Sequence, residues 1–448
     1  MLIYCNSYQL ANSSRQYDYM ENEALAKMNG ETKIHSVVGI PGTMESLKGK
    51  STLCFGTMCK NEEACILKTL ESVYKYIDYW VVCDTGSTDK TCEIVKEFFA
   101  EKNIPGQLYV DEWVGFDVNK SLLFERCHNK TDYLLHLDAD DWLMGEFDPQ
   151  SLSGSEADIF MLTMKRGNSD FKASVIYNNR LRWKYIGVAH NIIKCLDKDY
   201  PTSSDMFVRK ETWVDNNERG VRSLDPDKYI KDALKLKEQF FETLYDDPYG
   251  INNRSVFYCA QSYRDARHYK ESVQWYKLYT RLSGTWEEEL FESYMQISKC
   301  MMIIGDTDDN IMSWMNKAIE MSPDRAEPYF HLGKYFNDKS RCVLGYKYFK
   351  LAQEQDFDAA TSKYTLFVER NCYGKYINDE LSVSCYWTDK CEEGIALIDE
   401  IIDKPMFEQI NERLHTNRKF FYDKFPNLKK VETIEESNND DAVSATSD

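Results

Sequence analysis

The sequence has little of what nucleic-acid binders, membrane proteins and secreted proteins require. Its 448 residues include 55 Lys and Arg against 74 Asp and Glu, a formal net charge of −19. The chain therefore lacks the basic surface on which general binding to nucleic acids or anionic membranes depends. No stretch approaches the roughly 20 apolar residues of a membrane span, and Met1 to Met20 has neither a basic start nor an apolar core. We expect a soluble cytoplasmic protein with no membrane span and no nucleic-acid partner.

Cysteine pairs at redox or metal-binding spacing are also absent. The 14 cysteines are scattered along the chain, with no Cys-x-x-Cys pair and no His/Cys cluster at zinc spacing. We interpret them as reduced, mostly buried thiols, as expected in a reducing compartment. The length is that of two or three domains, each able to bury its own core.

One short stretch carries most of the chemical signal. The apolar run from Tyr133 to Leu137 is typical of a buried parallel strand, and the acids Asp138, Asp140 and Asp141 begin where the run stops. In open α/β sheets, ligands bind at the carboxyl edge. Carboxylates there can hold Mg²⁺ or Mn²⁺ while the metal keeps positions free for phosphate oxygens. The stretch therefore predicts a metal site at a sheet edge.

Strand and helix patterns alternate before this stretch. This spacing predicts a right-handed parallel α/β sheet, with Asp84 and Asp138 at one edge. The loop from Asp84 to Asp89 has a Gly for a tight turn and side chains that can cap the next helix. The predicted elements are strands at 52–59, 79–83, 107–111 and 133–138 and helices at 60–76, 90–102 and 119–127.

Four motifs in this order resemble the family 2 glycosyltransferases, which have the GT-A fold and use nucleotide sugars. The matching pieces are Met58 to Glu63, Val81 to Asp89, Trp113 to Lys120, and Leu137 to Asp141 with its Asp-x-Asp motif. The resemblance implies a GT-A domain with a Rossmann-like, mostly parallel sheet.

The resemblance also implies roles for individual residues. Asp84 would accept the imide hydrogen of the base, usually uracil, and Asp138 would contact the ribose or the metal shell. Asp140 would bind a divalent Mn²⁺ or Mg²⁺ that bridges the two phosphates. Lys120 stands where many relatives carry Arg, so a positive charge for phosphate is kept while the bidentate fork is lost.

The segment from Ser155 to Trp213 is expected to complete this domain, with a strand pair leading to His190. The resemblance implies that His190 is a further metal or phosphate ligand, a role that suits neutral imidazole. Relatives follow this His with Glu, but here the next residue is Asn191. The sequence leaves the general base open among three carboxylates. They are Asp141, Asp170 and Glu211.

Strand patterns stop after Trp213, and helical periodicity begins with a helix at 227–244. Tyr258, Tyr263 and Tyr276 recur 72 positions later as Phe330, Tyr335 and Tyr348, and the half-period of 36 is occupied by Tyr294 and Met312. This period predicts a tetratricopeptide-like (TPR-like) all-α solenoid. The segments 257–265 and 286–289 also resemble the helical region that follows the transfer domain in part of the same family.

The domain prediction has four parts: an N-terminal extension at 1–50, a GT-A domain at 51–225, a helical domain at 226–425, and an acidic disordered tail at 426–448.

The expected function is metal-dependent, inverting transfer of a sugar from a nucleotide sugar to a hydroxyl of a glycan, protein or lipid. The resemblance implies a UDP-linked donor and a hexosyltransferase-like activity. One alternative is a non-catalytic scaffold that binds a nucleotide and recruits a protein through its helical repeats. A second is a nucleotidyltransferase, whose Gly-rich basic loop is not matched by Lys60 to Glu63.

Overall fold

The structure is a computed structural model that describes residues 36–40, 51–167, 169–205, 212–216 and 220–426. It contains two compact units, Met1–Cys259 and Ala260–Asp448. The predicted disordered tail lies outside the described residues except for Pro426, as does most of the predicted N-terminal extension. Glu211, one candidate for the general base, also lies outside them.

The described residues of the first unit form a ten-stranded mixed sheet with helices packed against it. Its main-sheet strands are β1 (Ser36–Ile40), β2 (Leu53–Cys59), β3 (Tyr79–Asp84), β4 (Gly106–Val110), β5 (Tyr133–His136), β6 (Trp142–Gly145), β7 (Ile159–Arg166), β8 (Ser169–Asn178), β11 (Ser203–Asp205) and β12 (Thr212–Asp215). A separate hairpin pairs β9 (Trp183–Ile186) with β10 (Ile192–Cys195). The helices are α1 (Ile66–Val73), α2 (Thr91–Lys102), α3 (Phe116–Cys127), α4 (Lys228–Glu242) and the first part of α5 (Asn252–Asp265).

The strand order is β1-β4-β3-β2-β5-β8-β7-β12-β6, with β11 paired to β7. The four strands β4, β3, β2 and β5 are mutually parallel, so their carboxyl ends share one edge. This confirms the predicted α/β fold with a mostly parallel sheet. Beyond β5 the neighbouring strand β8 runs antiparallel, as does its pairing with β7.

The parallel strands form because their side chains are buried on both faces of the sheet. Phe55 and Leu135 are fully buried in the core on one face, and Val81 and Leu134 in the core on the other. Each large apolar side chain contributes roughly 1.5–3 kcal/mol on burial. Trp80 stacks on the ring of Phe99 from α2, with ring centroids 4.3 Å apart. The strands are therefore fixed in the core while the loops at their carboxyl ends remain free to build a site.

One helix prediction is corrected at its start. The helix predicted from Lys60 begins instead at Ile66 and ends in a short 3-10 turn, Tyr74–Tyr76. Asn61 adopts a left-handed conformation with φ of 56°, which no helix can contain. The residues after β2 therefore form a loop rather than a first helical turn.

The described residues of the second unit, 260–426, form helices and contain no strand. Its α-helices, after the end of α5, are α6 (Tyr269–Tyr279), α7 (Glu287–Ile304), α8 (Asp308–Met321), α9 (Glu327–Asp338), α10 (Cys342–Gln353), α11 (Phe357–Lys363), α12 (Asn378–Trp387), α13 (Cys391–Ile401) and α14 (Asn411–Lys424). The helices pair along the chain, α7 with α8, α9 with α10 and α12 with α13. This arrangement confirms the prediction of an all-α region built of helix pairs. None of the described helices is both long and apolar enough to cross a membrane.

Close approach of neighbouring helices explains one glycine in this unit. A Cβ atom on Gly333 of α9 would lie 2.8 Å from the ring of Phe349 on α10. The two helices therefore pack with Phe349 directly against the backbone of α9. A buried ion pair, Arg325 with Glu327 at 2.9 Å, anchors the start of α9, and Tyr373 donates its hydroxyl to the same carboxylate.

Candidate active site

The candidate site lies at the carboxyl ends of β3, β2 and β5, which are adjacent in the sheet. Asp84 is the last residue of β3 and pairs in register with Cys59, the last residue of β2. Asp138 follows the end of β5 by two residues. The structure therefore places both predicted residues at one edge, because the parallel strands run in the same direction.

Asp84 organises the loop that follows it. Its carboxylate accepts the backbone N–H groups of Gly86 at 3.0 Å and Ser87 at 2.9 Å, and the Ser87 hydroxyl. The side chain is almost fully buried. In the structure Asp84 thus forms the turn, and its predicted contact with a nucleotide base stays a prediction.

Hydrogen bonds join the first two motifs of the sequence. The Asn61 side-chain oxygen accepts the N–H of Thr88 at 2.7 Å, and the Asn61 N–H donates to the Ser87 hydroxyl at 2.7 Å. Asp89 accepts the N–H of Thr91, the first residue of α2, at 3.0 Å, although the N-cap position itself is Lys90. The left-handed Asn61 lets the loop after β2 meet the loop after β3, so the two motifs form one wall of the edge.

Lys120 and Asp138 form an ion pair at the edge. The Lys120 Nζ on α3 lies 2.8 Å from the Asp138 Oδ1, with 14% of the Lys120 side chain and 52% of the Asp138 side chain exposed. The Lys120 charge holds the pKa of Asp138 at about 2. Burial alone would lower the pKa of Lys120, but the Asp138 carboxylate raises it. Both groups are therefore charged at neutral pH, and Asp138 still presents half of its surface to a ligand.

Asp140 and Asp141 are held by the segment that follows β12. Asp140 Oδ2 accepts the N–H of Gly220 at 2.8 Å, and Asp141 Oδ1 accepts the side-chain amide of Asn216 at 2.6 Å. Burial and the charge of Asp138 raise the pKa of Asp141 to about 8. Three carboxylates thus crowd one edge, where like charges disfavour full ionisation.

His190 lies in the loop between β9 and β10. Its backbone is left-handed, with φ of 48°, and its ring stacks on Tyr258 with centroids 4.1 Å apart. Desolvation of the ring and the charge of Arg254 lower the pKa of His190 to about 3, so the imidazole is neutral. His190 does not form a compact donor group with Asp138 and Asp140 among the described residues, and its predicted metal role stays a prediction.

The hairpin at His190 differs in detail from the predicted strand pair. Trp183–Ile186 is one strand, and its partner Ile192–Cys195 follows His190 rather than preceding it. The Asn191 side chain donates to the carbonyl of Gly187. Asn191 therefore closes the loop, at the position where the resemblance placed a Glu.

The donor chemistry of the edge fits a hard divalent cation. Asp138 and Asp140 supply carboxylate oxygens, the ligands that Mg²⁺ and Mn²⁺ prefer. Their negative charge, together with that of Asp141, is offset in the structure by Lys120 and by the charge of Arg222 acting on Asp138. A bound cation would relieve the same repulsion. Asp138 and Asp140 are the residues of this chain that could hold it.

Sequence reasoning missed the segment that closes the edge. Asn216, Gly220 and Arg222 follow β12, which pairs in parallel with β7 and antiparallel with β6. This topology returns the chain to Asp140 and Asp141. The sequence feature that could have indicated this segment is a strand ending at Asp215-Asn216 and followed by a Gly and an Arg. Of the candidates for the general base, Asp141 is 3% exposed, and the structure does not describe the side chain of Asp170.

Comparison with known proteins agrees with this geometry. Residues 54–186 match the sequence model of the family Glycosyl transferase family 2, so the sheet unit contains a domain of this family. An uncharacterized glycosyltransferase of Rickettsia typhi is 37% identical over 87 residues, covering 19% of this chain and 27% of that protein. One from Rickettsia prowazekii gives the same identity and coverage. The chain thus spans about a quarter of the length of these curated relatives.

The solved structures that match the chain have low TM-scores and low sequence identity to it. A tetratricopeptide repeat protein from Parabacteroides merdae has a TM-score of 0.32 and 10% identity, covering 48% of this chain and 75% of that one. MamA from Desulfovibrio magneticus has a TM-score of 0.28 and 13% identity, covering 41% of this chain and 96% of that one.

Proposed function

We propose that the protein is a metal-dependent glycosyltransferase that moves a sugar from a nucleoside diphosphate sugar, by preference UDP-linked, to an acceptor hydroxyl. The observation that carries the proposal is the set of three carboxylates and one lysine at the shared edge of β3, β2 and β5, inside the segment that matches Glycosyl transferase family 2. A buried structural cluster would pair its charges completely. Here Asp138 keeps half of its side chain exposed beside its lysine.

Each edge residue has a proposed part in binding the donor. Asp84 accepts a hydrogen bond from the base, and Asp138 and Asp140 hold Mn²⁺ or Mg²⁺. The metal, when bound, would offset the charge of the diphosphate leaving group. Lys120 adds a second positive charge on the same group, since its Nζ already faces Asp138 at 2.8 Å.

Asp141 is the proposed general base, and a cation held by Asp138 and Asp140 would lower its raised pKa so that the carboxylate is ionised near neutral pH. One of its oxygens is fixed by Asn216 at 2.6 Å, which orients the carboxylate and leaves the other oxygen to accept a proton. The acceptor hydroxyl gives its proton to Asp141 as its oxygen attacks C1 of the sugar from the face opposite the diphosphate. The bond from C1 to the diphosphate breaks, its electrons leave with the diphosphate, and the configuration at C1 inverts.

The helical unit is proposed to serve the acceptor or a protein partner rather than the chemistry. Its helix pairs form a repeat with an aromatic core in which Tyr276, Tyr335 and Phe349 are buried. Two acids of its Trp286 to Glu289 motif have structural contacts. Glu288 accepts the N–H of Leu366 at 2.6 Å, and Glu289 accepts the hydroxyl of Tyr279 at 2.7 Å.

A donor panel tests this function. The full chain is incubated with UDP-, GDP-, CMP- and dTDP-sugars, with Mn²⁺, with Mg²⁺ and with EDTA, and released sugar is measured by mass spectrometry. Metal-dependent hydrolysis of a UDP-sugar is the expected result, and Asp141→Asn should keep donor binding but lose turnover. Preference for a GDP-sugar would overturn the proposal that the donor carries uracil as its nucleobase. No hydrolysis or binding of any nucleotide sugar would instead favour a scaffold.

A further inference from the structure

The helical unit contains a second group of metal-binding side chains. His331 of α9, Glu369 and Cys372 place a ring nitrogen, a carboxylate oxygen and a sulfur within 4.8 Å of one another. No other group of three such residues occurs in the part of the chain that the structure describes. Sequence spacing could not show it, because His331 is far from the other two along the chain.

A short turn brings the Glu and the Cys together. Glu369 precedes the 3-10 turn Arg370–Cys372, and the Cys372 N–H donates to the Glu369 carbonyl at 2.9 Å. In such a turn, side chains three residues apart lie on the same face. The Glu369 backbone N–H donates to Glu327 at 2.9 Å, which ties the turn to the start of α9. The pair is therefore fixed in position beside the helix that carries His331.

Two of the three donor separations are close to those around a tetrahedral metal. Glu369 Oε2 lies 3.3 Å from His331 Nε2 and 3.8 Å from Cys372 Sγ. Bonds of about 2.0–2.1 Å to nitrogen and oxygen and about 2.3 Å to sulfur, at tetrahedral angles, require donor separations of about 3.3 and 3.5 Å. The Glu369 separations therefore need shifts of at most a few tenths of an ångström, and the His331 nitrogen and the Cys372 sulfur lie within 4.8 Å of each other.

The ammonium group of Lys299 lies beside these three side chains on their solvent-facing side. Lys299 Nζ of α7 lies 3.1 Å from His331 Nε2 and 3.2 Å from Glu369 Oε1. The imidazole nitrogen and the carboxylate thus both lie within 3.2 Å of a cation. Cys372 is fully buried, while a quarter of the Lys299 side chain and about a third of the Glu369 side chain are exposed. The lysine can leave toward solvent, and a metal can enter by the same side.

We propose that His331, Glu369 and Cys372 bind one Zn²⁺, with Lys299 as the cation that fills the site in the metal-free protein. A nitrogen and a sulfur donor favour Zn²⁺ over Mg²⁺ and Ca²⁺, which prefer oxygen. On binding, three metal bonds form, the Cys372 thiol releases its proton to solvent, and the Lys299 ammonium moves out. A water takes the fourth position. The metal then links α9 to the turn at 369–372.

Metal titration of the full-length chain tests the proposal. The protein is stripped with EDTA, dialysed, and titrated with Zn²⁺ by calorimetry and with Co²⁺ by absorption spectroscopy. Beside any binding at the sheet-edge carboxylates Asp138 and Asp140, we expect one site with a thiolate-to-cobalt charge-transfer band that Cys372→Ser abolishes and Asp140→Ala leaves unchanged. Cys372→Ser and His331→Ala should each weaken Zn²⁺ binding at least about tenfold. His415→Ala is the matched control, because His415 is an exposed histidine paired with Asp403 at 3.0 Å.

Lys299→Met distinguishes a metal site from a purely structural ion pair. Without the competing ammonium, Zn²⁺ should bind the variant more tightly than the parent. It should also restore the thermal stability that the variant loses when Glu369 no longer has its lysine partner. This variant keeps the test decisive even if Cys372→Ser fails to fold. Absence of Zn²⁺ binding in the parent and in Lys299→Met, or equal binding in the parent and in folded His331→Ala, would overturn the proposal.

Discussion

Lys120 Nζ lies 2.8 Å from Asp138 Oδ1 at the edge of the parallel sheet. The pair joins a helix residue to the acid that follows β5, and both groups belong to motifs that the sequence places 18 residues apart. Because the Lys120 side chain is mostly buried while Asp138 is half exposed, the lysine occupies the position that a cation or a phosphate would otherwise approach. In the proposed donor site Lys120 would therefore both compete with the metal and bind the diphosphate.

Lys120→Met should separate these two effects. Removing the ammonium frees Asp138, so Mn²⁺ alone should bind more tightly, while UDP in the presence of Mn²⁺ should bind roughly tenfold to hundredfold more weakly. The weaker binding of UDP corresponds to the loss of one charged hydrogen bond, worth roughly 1.5–3 kcal/mol. Calorimetric titration of Mn²⁺ and of UDP measures both affinities. Lys130→Met, at an exposed lysine after α3, is the control. Unchanged UDP affinity in Lys120→Met would contradict the proposal that Lys120 binds the diphosphate.

Gly220→Ala tests whether the segment after β12 positions Asp140. An added Cβ would lie 3.1 Å from Asp140 Oδ2 and 3.0 Å from Glu62 Oε1, while the backbone φ of −66° accepts alanine without strain. Both carboxylates must therefore move. We expect metal-dependent UDP binding to weaken about tenfold with little change in the unfolding free energy.

Gly39→Ala is the matched control, because a Cβ there meets no atom within 4 Å. Titration calorimetry and urea denaturation measure the binding and the stability. Equal UDP affinities in Gly220→Ala and the parent would show that the Asp140 position does not matter for binding.

The lowered pKa of Asp158 predicts that the free energy of unfolding depends on pH. Burial opposes its ionisation, but Lys198 at 2.8 Å and the N–H of Thr202 at 3.0 Å hold the pKa of Asp158 below its ordinary value. A lowered folded-state pKa stabilises the fold above the ordinary pKa of an aspartate, and the contribution disappears as the pH falls through the lowered value. Asp158→Asn should cost about 1–3 kcal/mol at pH 7, and less below about pH 4.

Urea denaturation of the parent and Asp158→Asn at pH 7 and at acidic pH measures this difference. Asp199→Asn, at a nearby exposed aspartate, should change the unfolding free energy little at either pH. A stability loss in Asp158→Asn that stays constant with pH would place its cause in packing rather than in the charge.

The sequence predicted the parallel part of the fold well because its signals are local. Apolar runs, such as Tyr133 to Leu137, mark strands buried on both faces, and the acids after them mark the edge. Tyr263 and Tyr335, which are 72 positions apart, are both buried, as a repeated core position predicts. Burial and periodicity are properties of single segments, so a sequence can show them.

Contacts between distant segments could not be predicted in this way. Glu62 and Glu63 have the composition of a first helical turn, but their backbone N–H groups donate to Thr91 and Asp89 across the loop. The return of Gly220 to Asp140, 80 residues earlier, depends on the pairing of β12. The proposed zinc group depends on the packing of a turn against α9. Such juxtapositions arise from tertiary packing, which overrides local propensity.

The most direct test of the proposed donor site is thermal unfolding of the full chain with UDP and Mn²⁺. A ligand bound only by the folded protein adds about 2.7 kcal/mol at a hundredfold excess over Kd, which corresponds to an increase in Tm of roughly 5–10 °C for a unit of this size. UDP with EDTA should give a smaller increase, and Asp140→Ala should abolish the metal-dependent part. Asp199→Ala, far from the sheet edge in sequence, should retain all of it. An unchanged Tm across saturating UDP and Mn²⁺, or a full increase in Asp140→Ala, would contradict a metal-dependent nucleotide site at this edge.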